Sequence, residues 1–524
     1  NNLGAAYGER IFGERAENIE SAIAAFSAAL SVYTRSVFPQ NWAATQNNLG
    51  AAYGERIFGE RAENIESAIA AFSAALSVRT RSAFPQDWAG TQNNLGNAYH
   101  QRIFGERAEN IESAIAAYSA ALSVRTRSAF PQDWAGTQNN LGAAYGERIF
   151  GERAENIESA IAAYSAALSV RTRSAFPQQW ATTQNNLGIA YGERIFGERA
   201  ENIELAIAAY SAALSVLTRS AFPQNNAETL LNLGRLYQEE KQFDSAYNTF
   251  VKAIETVETL RVKIDSTEEA KRKQAEEWNQ LYRRMVEVCL ALARDAEAIE
   301  YIERSKTRIL VELLTKATLT NPENLPLVGS SIHFGEIQKL LDNKTTIIQW
   351  YIFDDFFRTF IITRNNKPII WHSNQQDLDD LIHWTNEYLI DYYNPEDENK
   401  IQWQNQLKES LKKLAEILHI EQILDLVPKQ CDRLILIPHR YLHLFPLHAL
   451  PVKKSYLIDL FTNGVGYAPS CQLLQQVQLR QRPNFQSLFA IQNPTEDLYQ
   501  GYEKDLGAVA AIKKQFTDAN IFKQ

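Results

Sequence analysis

The chain repeats a block of 46 residues almost unchanged, starting at Asn1 and returning at Asn47, Asn93, Asn139 and Asn185. Each copy reads NNLGAAYGER, IFGERAENIE and SAIAAFSAALSV with small variations, and then connects to the next copy through a segment containing FPQ. A strict repeat of this length is typical of a solenoid, in which each unit buries its apolar face against its neighbours. Because a solenoid exposes one long surface, the pattern favours recognition of a partner.

Two helices are predicted in each copy. Leu49, Gly50 and Tyr53 recur at helical spacing in the first, and Ala68 and Phe72 in the second. We expect the small residues to let the two helices approach and the rings to fill the space between them. A proline in each connection predicts a break between units; these are Pro39, Pro85, Pro131, Pro177 and Pro223.

The spacing resembles the tetratricopeptide pattern, in which Leu-Gly-x-x-Tyr is followed by Ala-x-x-x-Phe/Tyr-x-x-Ala. A sixth, divergent copy has the interval of the ordinary repeat, 13 residues from Leu233 to Ala246, whereas Leu49 to Ala68 spans 19. We therefore expect the long repeats to add about one and a half helical turns at each end. The resemblance implies an all-α superhelical solenoid.

Composition narrows the function classes. The 524 residues carry a net charge of -9, which argues against nucleic acid as the main partner. Three scattered cysteines predict neither a disulfide framework nor a zinc site and favour a reducing cytoplasm. No apolar run is long enough for a membrane span. Because the chain starts inside a repeat without an initiator methionine, we expect a fragment.

The sequence predicts a multidomain chain. Five long repeats fill 1–224, a short repeat and a helical connector fill 225–318, a linker covers 319–335, and an α/β domain occupies 336–524. In that domain three strands, Thr345–Trp350, Arg358–Thr363 and Pro368–Trp371, form an antiparallel meander. Predicted helices at Asp377–Tyr392 and Gln402–Leu418 follow, then strands at Leu434–Ile437, Val465–Tyr467, Ser487–Ile491 and Ala519–Gln524, with helices from about Gln472 and Gly507.

The segments ERSKTRILVELL, LILIPHRYLHLFPLHAL, GYAPSCQLL and FAIQNP together resemble the CHAT family over roughly residues 300–524. That family is similar to caspases and separases and commonly follows tetratricopeptide arrays in bacteria. The resemblance implies a caspase-like α/β domain, incomplete at its C-terminus, and cysteine peptidase activity in a longer parent. The family's catalytic histidine and cysteine map beyond Gln524, so no catalytic residue is assigned here and this chain is expected to be inactive.

Two other candidate sites favour a structural interpretation. His439, His443 and His448 lie near Cys431, but in extended chain four residues span about 13 Å, which is too far for one metal ion. His439 is eight residues from Cys431, but closeness in sequence does not place a base beside the thiol, and Cys471 is at a predicted helix start. We therefore interpret both as buried, inert thiols. We therefore assign no metal and no cofactor.

An asparagine precedes the Leu-Gly of every first helix; the column comprises Asn2, Asn48, Asn94, Asn140, Asn186 and Asn232. First helices line the concave surface of tetratricopeptide superhelices, where an amide can pair with the backbone of an extended peptide. The alternative is that these amides join neighbouring helices. Both interpretations remain open, and the first makes the partner a protein or peptide in the concave groove.

Two further residue types recur at the period of the repeat, and for both we favour a role in stability over a role in binding. Arg10, Arg56, Arg102, Arg148 and Arg194 suggest a solvated face with ion pairs inside each repeat, while Trp42, Trp88, Trp134 and Trp180 are expected to pack between units. Two functions remain. One is recognition by the array coupled to a caspase-like peptidase, and the other is a non-enzymatic interaction scaffold with a degenerate CHAT domain.

Overall fold

The computed structural model describes residues 1–10, 13–263, 268–306, 332–393, 397–479, 487–492 and 518–523. These residues belong to two units, Asn1–Leu292 and Ala293–Gln524. None of the described helices is both long and apolar enough to cross a membrane.

The first unit is an array of antiparallel helix pairs. Its helices are α1 Asn2–Gly8, α2 Arg15–Leu30, α3 Pro39–Gly54, α4 Arg61–Leu76, α5 Pro85–His100, α6 Arg107–Leu122, α7 Pro131–Gly146, α8 Arg153–Leu168, α9 Pro177–Gly192, α10 Arg199–Leu214, α11 Pro223–Glu239, α12 Phe243–Lys263 and α13 Glu268–Ala291. Successive first helices, such as α5 and α7, contact each other directly, which places them along one side of the array.

Local chemistry sets the ends and the spacing of these helices. Each first helix from α3 to α11 begins at the proline of FPQ, where the fixed φ suits the first helical turn and no amide donor is lost. The glycine of Leu-Gly lies under the aromatic ring of the second helix; a Cβ built on Gly50 would be 2.8 Å from the Phe72 ring. The predicted close approach of the two helices is confirmed.

The expectation of longer helices in the 46-residue repeats is wrong. The first helix α3 has 16 residues, whereas α11 of the short repeat has 17. The loop between the two helices has six residues in the long repeat, from 55 to 60, and three in the short one, from 240 to 242. The rest of the added length lies at the start of the second helix, where Ala68 is the eighth residue of α4 and Ala246 the fourth of α12. In the second copy the loop turns at Gly59, whose φ of +79° favours glycine, and the Asn64 side chain donates to the carbonyl of Phe58 at 2.9 Å. The loop therefore has its own local hydrogen bonding.

The arginine column forms ion pairs between repeats and not within them. Arg56 donates from Nε and Nη2 to the two carboxylate oxygens of Glu20, at 2.6 and 2.9 Å. The same pairs, 36 residues apart, join Arg102 to Glu66, Arg148 to Glu112 and Arg194 to Glu158. Periodicity showed that the charges recur, but the stacking of one repeat on the next decides which ones meet.

The second unit is built on a mixed sheet. Its strands are β1 Thr345–Ile352, β2 Phe357–Ile362, β3 Ile369–His372, β4 Arg433–Ile437 and β7 Val465–Tyr467, in the order β3-β2-β1-β4-β7. The β1-β2-β3 meander is antiparallel, as predicted, while β4 pairs in parallel with both β1 and β7. Two short strands, β5 Pro451–Val452 and β6 Ser455–Tyr456, form a hairpin. A separate parallel pair joins β8 Ser487–Gln492 to β9 Asp518–Lys523.

The helices of this unit are Asp295–Lys306, Phe334–Lys339, Gln375–Tyr393, Asp397–Ile417, Ile420–Asp425 and Cys471–Leu479. Trp350 and Phe357 from the sheet and Trp384 from a helix are almost fully buried in its core. A strand that is buried over its whole length, as β1 is, indicates a sheet covered on both faces.

The division between the units falls at Leu292 and Ala293, before the predicted linker 319–335. The helix Asp295–Lys306 contacts the sheet through its buried side chains. It therefore belongs with the α/β unit and not with the repeats. The final part of that linker is helical from Phe334. Residues 307–331 and the helix predicted from Gly507 lie outside the described residues.

Candidate functional site

The asparagine column forms a ladder of amides along the first helices. Asn48 donates from Nδ2 to Asn1 Oδ1 at 3.2 Å, and Asn94 donates to Asn47 Oδ1 at 3.3 Å. Asn140, Asn186 and Asn232 repeat this bond with Asn93, Asn139 and Asn185. From Asn48 to Asn232 the residues are half-buried, while Asn2 is exposed. Each rung of the ladder therefore joins one repeat to the next and keeps part of its surface exposed to solvent.

A buried threonine supports each inner rung. The Thr137 hydroxyl has two acceptors for its single proton, Asn93 Oδ1 at 3.1 Å and the carbonyl of Asp133 at 2.9 Å. The same oxygen therefore holds the amide that receives the bond from Asn140. The distances between amides, up to 3.4 Å, are at the long end for hydrogen bonds. Replacing such a long hydrogen bond with a hydrogen bond to a ligand therefore costs little free energy.

A cavity of about 460 Å³ opens at the middle of the ladder. It reaches from α5 across α7 to the start of α9, and its walls are mostly polar. The polar and charged residues of its lining include Asn94, Arg125, Asp133, Asn140, Arg171 and Gln179. Amide, guanidinium and carboxylate groups are thus brought to one place from two successive copies of the repeat. The site can therefore donate hydrogen bonds to a ligand, accept hydrogen bonds from it, and form ion pairs with its charged groups.

A second cavity, of about 470 Å³, lies where the parallel strands β4 and β7 end. His443, His448 and Tyr467 are in its lining. The Tyr467 hydroxyl accepts from the backbone N–H of His448 at 2.8 Å, and it lies 3.0 Å from Nδ1 of the same residue. Desolvation and the charge of Lys306 lower the pKa of His443. His443 therefore tends to remain neutral.

The histidines that were considered as metal ligands have other contacts. His439 accepts at Nδ1 from the backbone N–H of Ile352 at 2.9 Å and stacks on Tyr351. Within the described ranges, no three His, Cys, Asp or Glu side chains are grouped so that they could hold a metal ion.

The two candidate cysteines have unreactive surroundings. Cys471 is fully buried, and burial raises the pKa of its thiol well above the ordinary value. Burial also raises the pKa of Cys431, which donates from Sγ to the carbonyl of Arg433 at 3.1 Å. A raised pKa reduces the thiolate fraction, and the thiolate is the nucleophile.

Sequence reasoning missed a buried ionisable cluster in the α/β unit. Glu303 is fully buried; its carboxylate accepts from Gln349 Nε2 at 2.9 Å and from the backbone N–H of Gln472 at 3.0 Å. Lys306 donates from Nζ to the carbonyls of Trp350 and Pro438 at 3.5 and 3.4 Å. Burial raises the pKa of Glu303 and lowers that of Lys306 to about 8. In the sequence, the only indication of this cluster was that Glu303 and Lys306 are three residues apart, which places them on one face of a helix.

Comparison with protein families identifies the C-terminal part of this unit. Residues 408–520 match the CHAT domain. The match covers the strands β4 to β8 and part of β9, together with the second cavity. The predicted architecture, a tetratricopeptide-type helical solenoid followed by a CHAT region with a mixed sheet, is confirmed.

Solved structures are similar to about half of the chain. BtubC (BKLC) from P. vanneervenii is 18% identical with a TM-score of 0.37, over 48% of this chain and 94% of that one. The TPR2AB domain of yeast Sti1, in a complex with pHSP90, is 17% identical with a TM-score of 0.19, over 54% of this chain and 96% of that one. The comparison with curated proteins gave no match.

Proposed function

We propose that the helical array recognises a protein partner by holding an extended peptide segment along its asparagine ladder. The observation that carries the proposal is the cavity on α5, α7 and α9, into which Asn94 and Asn140 of the ladder open. A primary amide both donates and accepts, which matches the N–H and C=O groups of an extended backbone. Because the same amide recurs in every repeat, such a ladder can bind backbone without selecting a sequence.

Charge favours protein over nucleic acid as the partner. The chain has a net charge of -9, and Asp133 lies in the wall of the cavity. A phosphate backbone is bound by groups of positive charge, and each neutralised phosphate needs its own Lys or Arg. The proposal also places the chain in a reducing cytoplasm, in keeping with its three cysteines, none of which forms a disulfide among the described residues.

The finer proposal is that recognition by the array is coupled to the CHAT region. The family resemblance supports a caspase-like peptidase in a longer parent, while the raised pKa values of Cys431 and Cys471 argue against hydrolysis by the described thiols. The alternative is a scaffold in which the CHAT region has no catalytic role. Recognition by the repeats is common to both.

The test measures binding of a peptide pool to the full chain by fluorescence anisotropy. The peptides are about nine residues long, which spans roughly 30 Å when extended, and have blocked ends. Replacing Asn94, Asn140 and Asn186 together with alanine should weaken binding by about tenfold or more, because each amide contributes about 1 kcal/mol net. Unchanged affinity in the triple variant would overturn the proposal.

A control separates binding from stability, since the ladder also joins the repeats. Tyr118 is almost fully buried and donates from its hydroxyl to Asn97 Oδ1 at 2.8 Å. Tyr118→Phe removes a bond of the same network without removing an amide from the surface. We expect it to lower the melting temperature while the affinity for the pool stays the same.

A further inference from the structure

One arginine position of the repeats lies beside the ladder. Arg79, Arg125 and Arg171 are 46 residues apart, and each follows the end of a second helix. Each donates from Nη1 to the buried threonine of the next first helix, at 2.9, 3.0 and 3.0 Å. The guanidinium groups are therefore fixed in one orientation by the fold.

The first two of these arginines have a carboxylate beside them. Nη2 of Arg79 is 3.7 Å from Asp87, and Nη2 of Arg125 is 3.7 Å from Asp133. Their side chains are only 13% exposed, so the charge of each is partly removed from water, and a half-exposed aspartate balances it.

The next repeat lacks this partner. Gln179 stands where the two preceding repeats have Asp87 and Asp133. Burial lowers the pKa of Arg171, whereas at Arg79 and Arg125 a neighbouring aspartate opposes the same effect. A guanidinium remains protonated even so. Arg171 thus presents a half-buried positive charge that its own repeat does not balance.

The surroundings of Arg171 leave room for a ligand. Arg171 and Gln179 line the 460 Å³ cavity together with Asn140 of the ladder. Below the guanidinium lies Gly136, on which a Cβ would come within 3.4 Å of Arg171 Nη2. Threonine and glutamate, Thr182 and Glu228, occupy the same position in the two following repeats. The absence of a side chain at Gly136 keeps the space beside the charge open.

We propose that Arg171 binds a carboxylate of the extended peptide held by the ladder. The inference rests on the function proposed above and adds the chemical class of the ligand. A guanidinium presents its N–H donors in a planar fork that matches a carboxylate. Asp133 lines the same cavity, and its negative charge disfavours a phosphate, which carries nearly two charges. A single carboxylate balances Arg171 and leaves the Arg125–Asp133 pair intact.

The experiment compares three pools of peptides of about nine residues, with randomised flanks, binding to the full chain. One pool has a central Glu with both ends blocked, the second a central Gln with both ends blocked, and the third a central Gln with a free C-terminal carboxylate. We expect one of the two carboxylate pools to bind about tenfold more tightly than the neutral pool. Which one does so tells whether the carboxylate is internal or terminal.

The decisive variant is Gln179→Asp, which gives Arg171 the partner that Arg125 already has. It should abolish the preference for carboxylate. Asn41→Asp makes the same change of charge at the equivalent position of the first repeat, where Tyr33 replaces the arginine, and should preserve the preference. Conversely, Asp133→Gln removes the carboxylate beside Arg125 and should increase the preference for the carboxylate peptides.

The outcomes separate the two proposals. Equal binding of all three pools by the wild-type chain, with unchanged affinity in Gln179→Asp, would overturn the role of Arg171 while the ladder proposal stands. Failure of every pool to bind would overturn both. Loss of the preference in Asn41→Asp as well would attribute it to overall charge and contradict a site at Arg171.

Discussion

Each first helix of the array carries one glycine under an aromatic ring of the second helix. A Cβ added at Gly142 would lie 2.8 Å from the ring of Tyr164, which is nearly fully buried. Four residues later Gly146, at the end of the same helix, has nothing within 4 Å of such a Cβ. The two glycines thus share a helix and differ in what they contact.

We expect Gly142→Ala to destabilise the array by about 1–3 kcal/mol, because the methyl group forces the packed ring to move. Gly146→Ala should leave the stability unchanged or raise it by up to about 1 kcal/mol, since alanine restricts the unfolded chain. Urea unfolding followed by circular dichroism measures both. If the two substitutions had equal effects, packing under the ring would not explain why glycine follows leucine in every first helix of this chain.

One side chain of the array shows how a substitution changes a junction between repeats. Trp180 packs against Ala181, Ala213 and Leu217 at the fourth junction. At the next junction the chain has Asn226, whose Nδ2 donates to the carbonyl of Leu217 at 2.7 Å and whose Oδ1 accepts from Thr256 at 3.3 Å. A buried amide with both groups bonded replaces apolar contact where the long repeats meet the short one.

Between elements, charge joins the ends of helices from neighbouring repeats. Glu147 follows the last residue of α7 and pairs with Arg107 at the start of α6 and with His100 at the end of α5. The close approach of His100, whose Nε2 is 3.3 Å from the carboxylate, is the largest cause that lowers the pKa of Glu147 to about 2. The equivalent glutamate of the next repeat, Glu193, pairs with Arg153 but has Gly146 in place of the histidine.

The depressed pKa makes this junction sensitive to acid. A carboxylate with a lower pKa in the folded state stabilises the fold above its unfolded value of about 4.5, and that stability is lost as the pH falls toward 2. We therefore expect Glu147→Gln to destabilise the array near pH 6, with a difference from wild type that shrinks steadily between about pH 4.5 and 2. Thermal melts at a series of pH values measure it.

Glu193→Gln is the matched control for this junction. It removes a carboxylate that pairs with an arginine at the same position but without a histidine, so we expect a smaller loss near pH 6. A difference between wild type and Glu147→Gln that does not change over this pH range would contradict the assignment.

At the scale of the whole array, each contact between neighbouring repeats returns 46 residues further along the chain. Asn140 donates to Asn93 47 residues earlier, and Arg148 pairs with Glu112 36 residues earlier. Removal of one full period, residues 93–138, would give Asn140 the equivalent Asn47 and Arg148 the equivalent Glu66. Solenoid stability is approximately a sum over repeats and their neighbours.

We expect the deletion of 93–138 to leave a folded chain that unfolds cooperatively, with a helical signal reduced by about one repeat and a somewhat lower midpoint. Deletion of 93–115 removes the second half of α5 and the first half of α6, so it leaves no complete helix pair in that repeat and should abolish the cooperative transition. Circular dichroism and urea titration compare the two. Similar disruption by both deletions would show that the contacts are not interchangeable between repeats.

Much of the architecture follows from the sequence alone. The period of 46 residues, the proline at each helix start and the Leu-Gly-x-x-Tyr spacing determine the helix pairs, because these signals are local and recur in every copy. The alternation of apolar runs and turns likewise gave the meander β1-β2-β3. The length of the helices could not be read in the same way, since residues such as Ile57 and Phe58 look helical but lie exposed in a loop.

Only the tertiary structure decided which side chains meet. The partner of Arg148 is in the preceding repeat, and Glu303 receives a bond from Gln472, 169 residues further along the chain. The sequence showed that Gln179 replaces an aspartate, but only the packing shows that Arg171 lies beside it and faces the ladder. Local periodicity fixes secondary structure, whereas a site depends on the distances that stacking creates between distant segments.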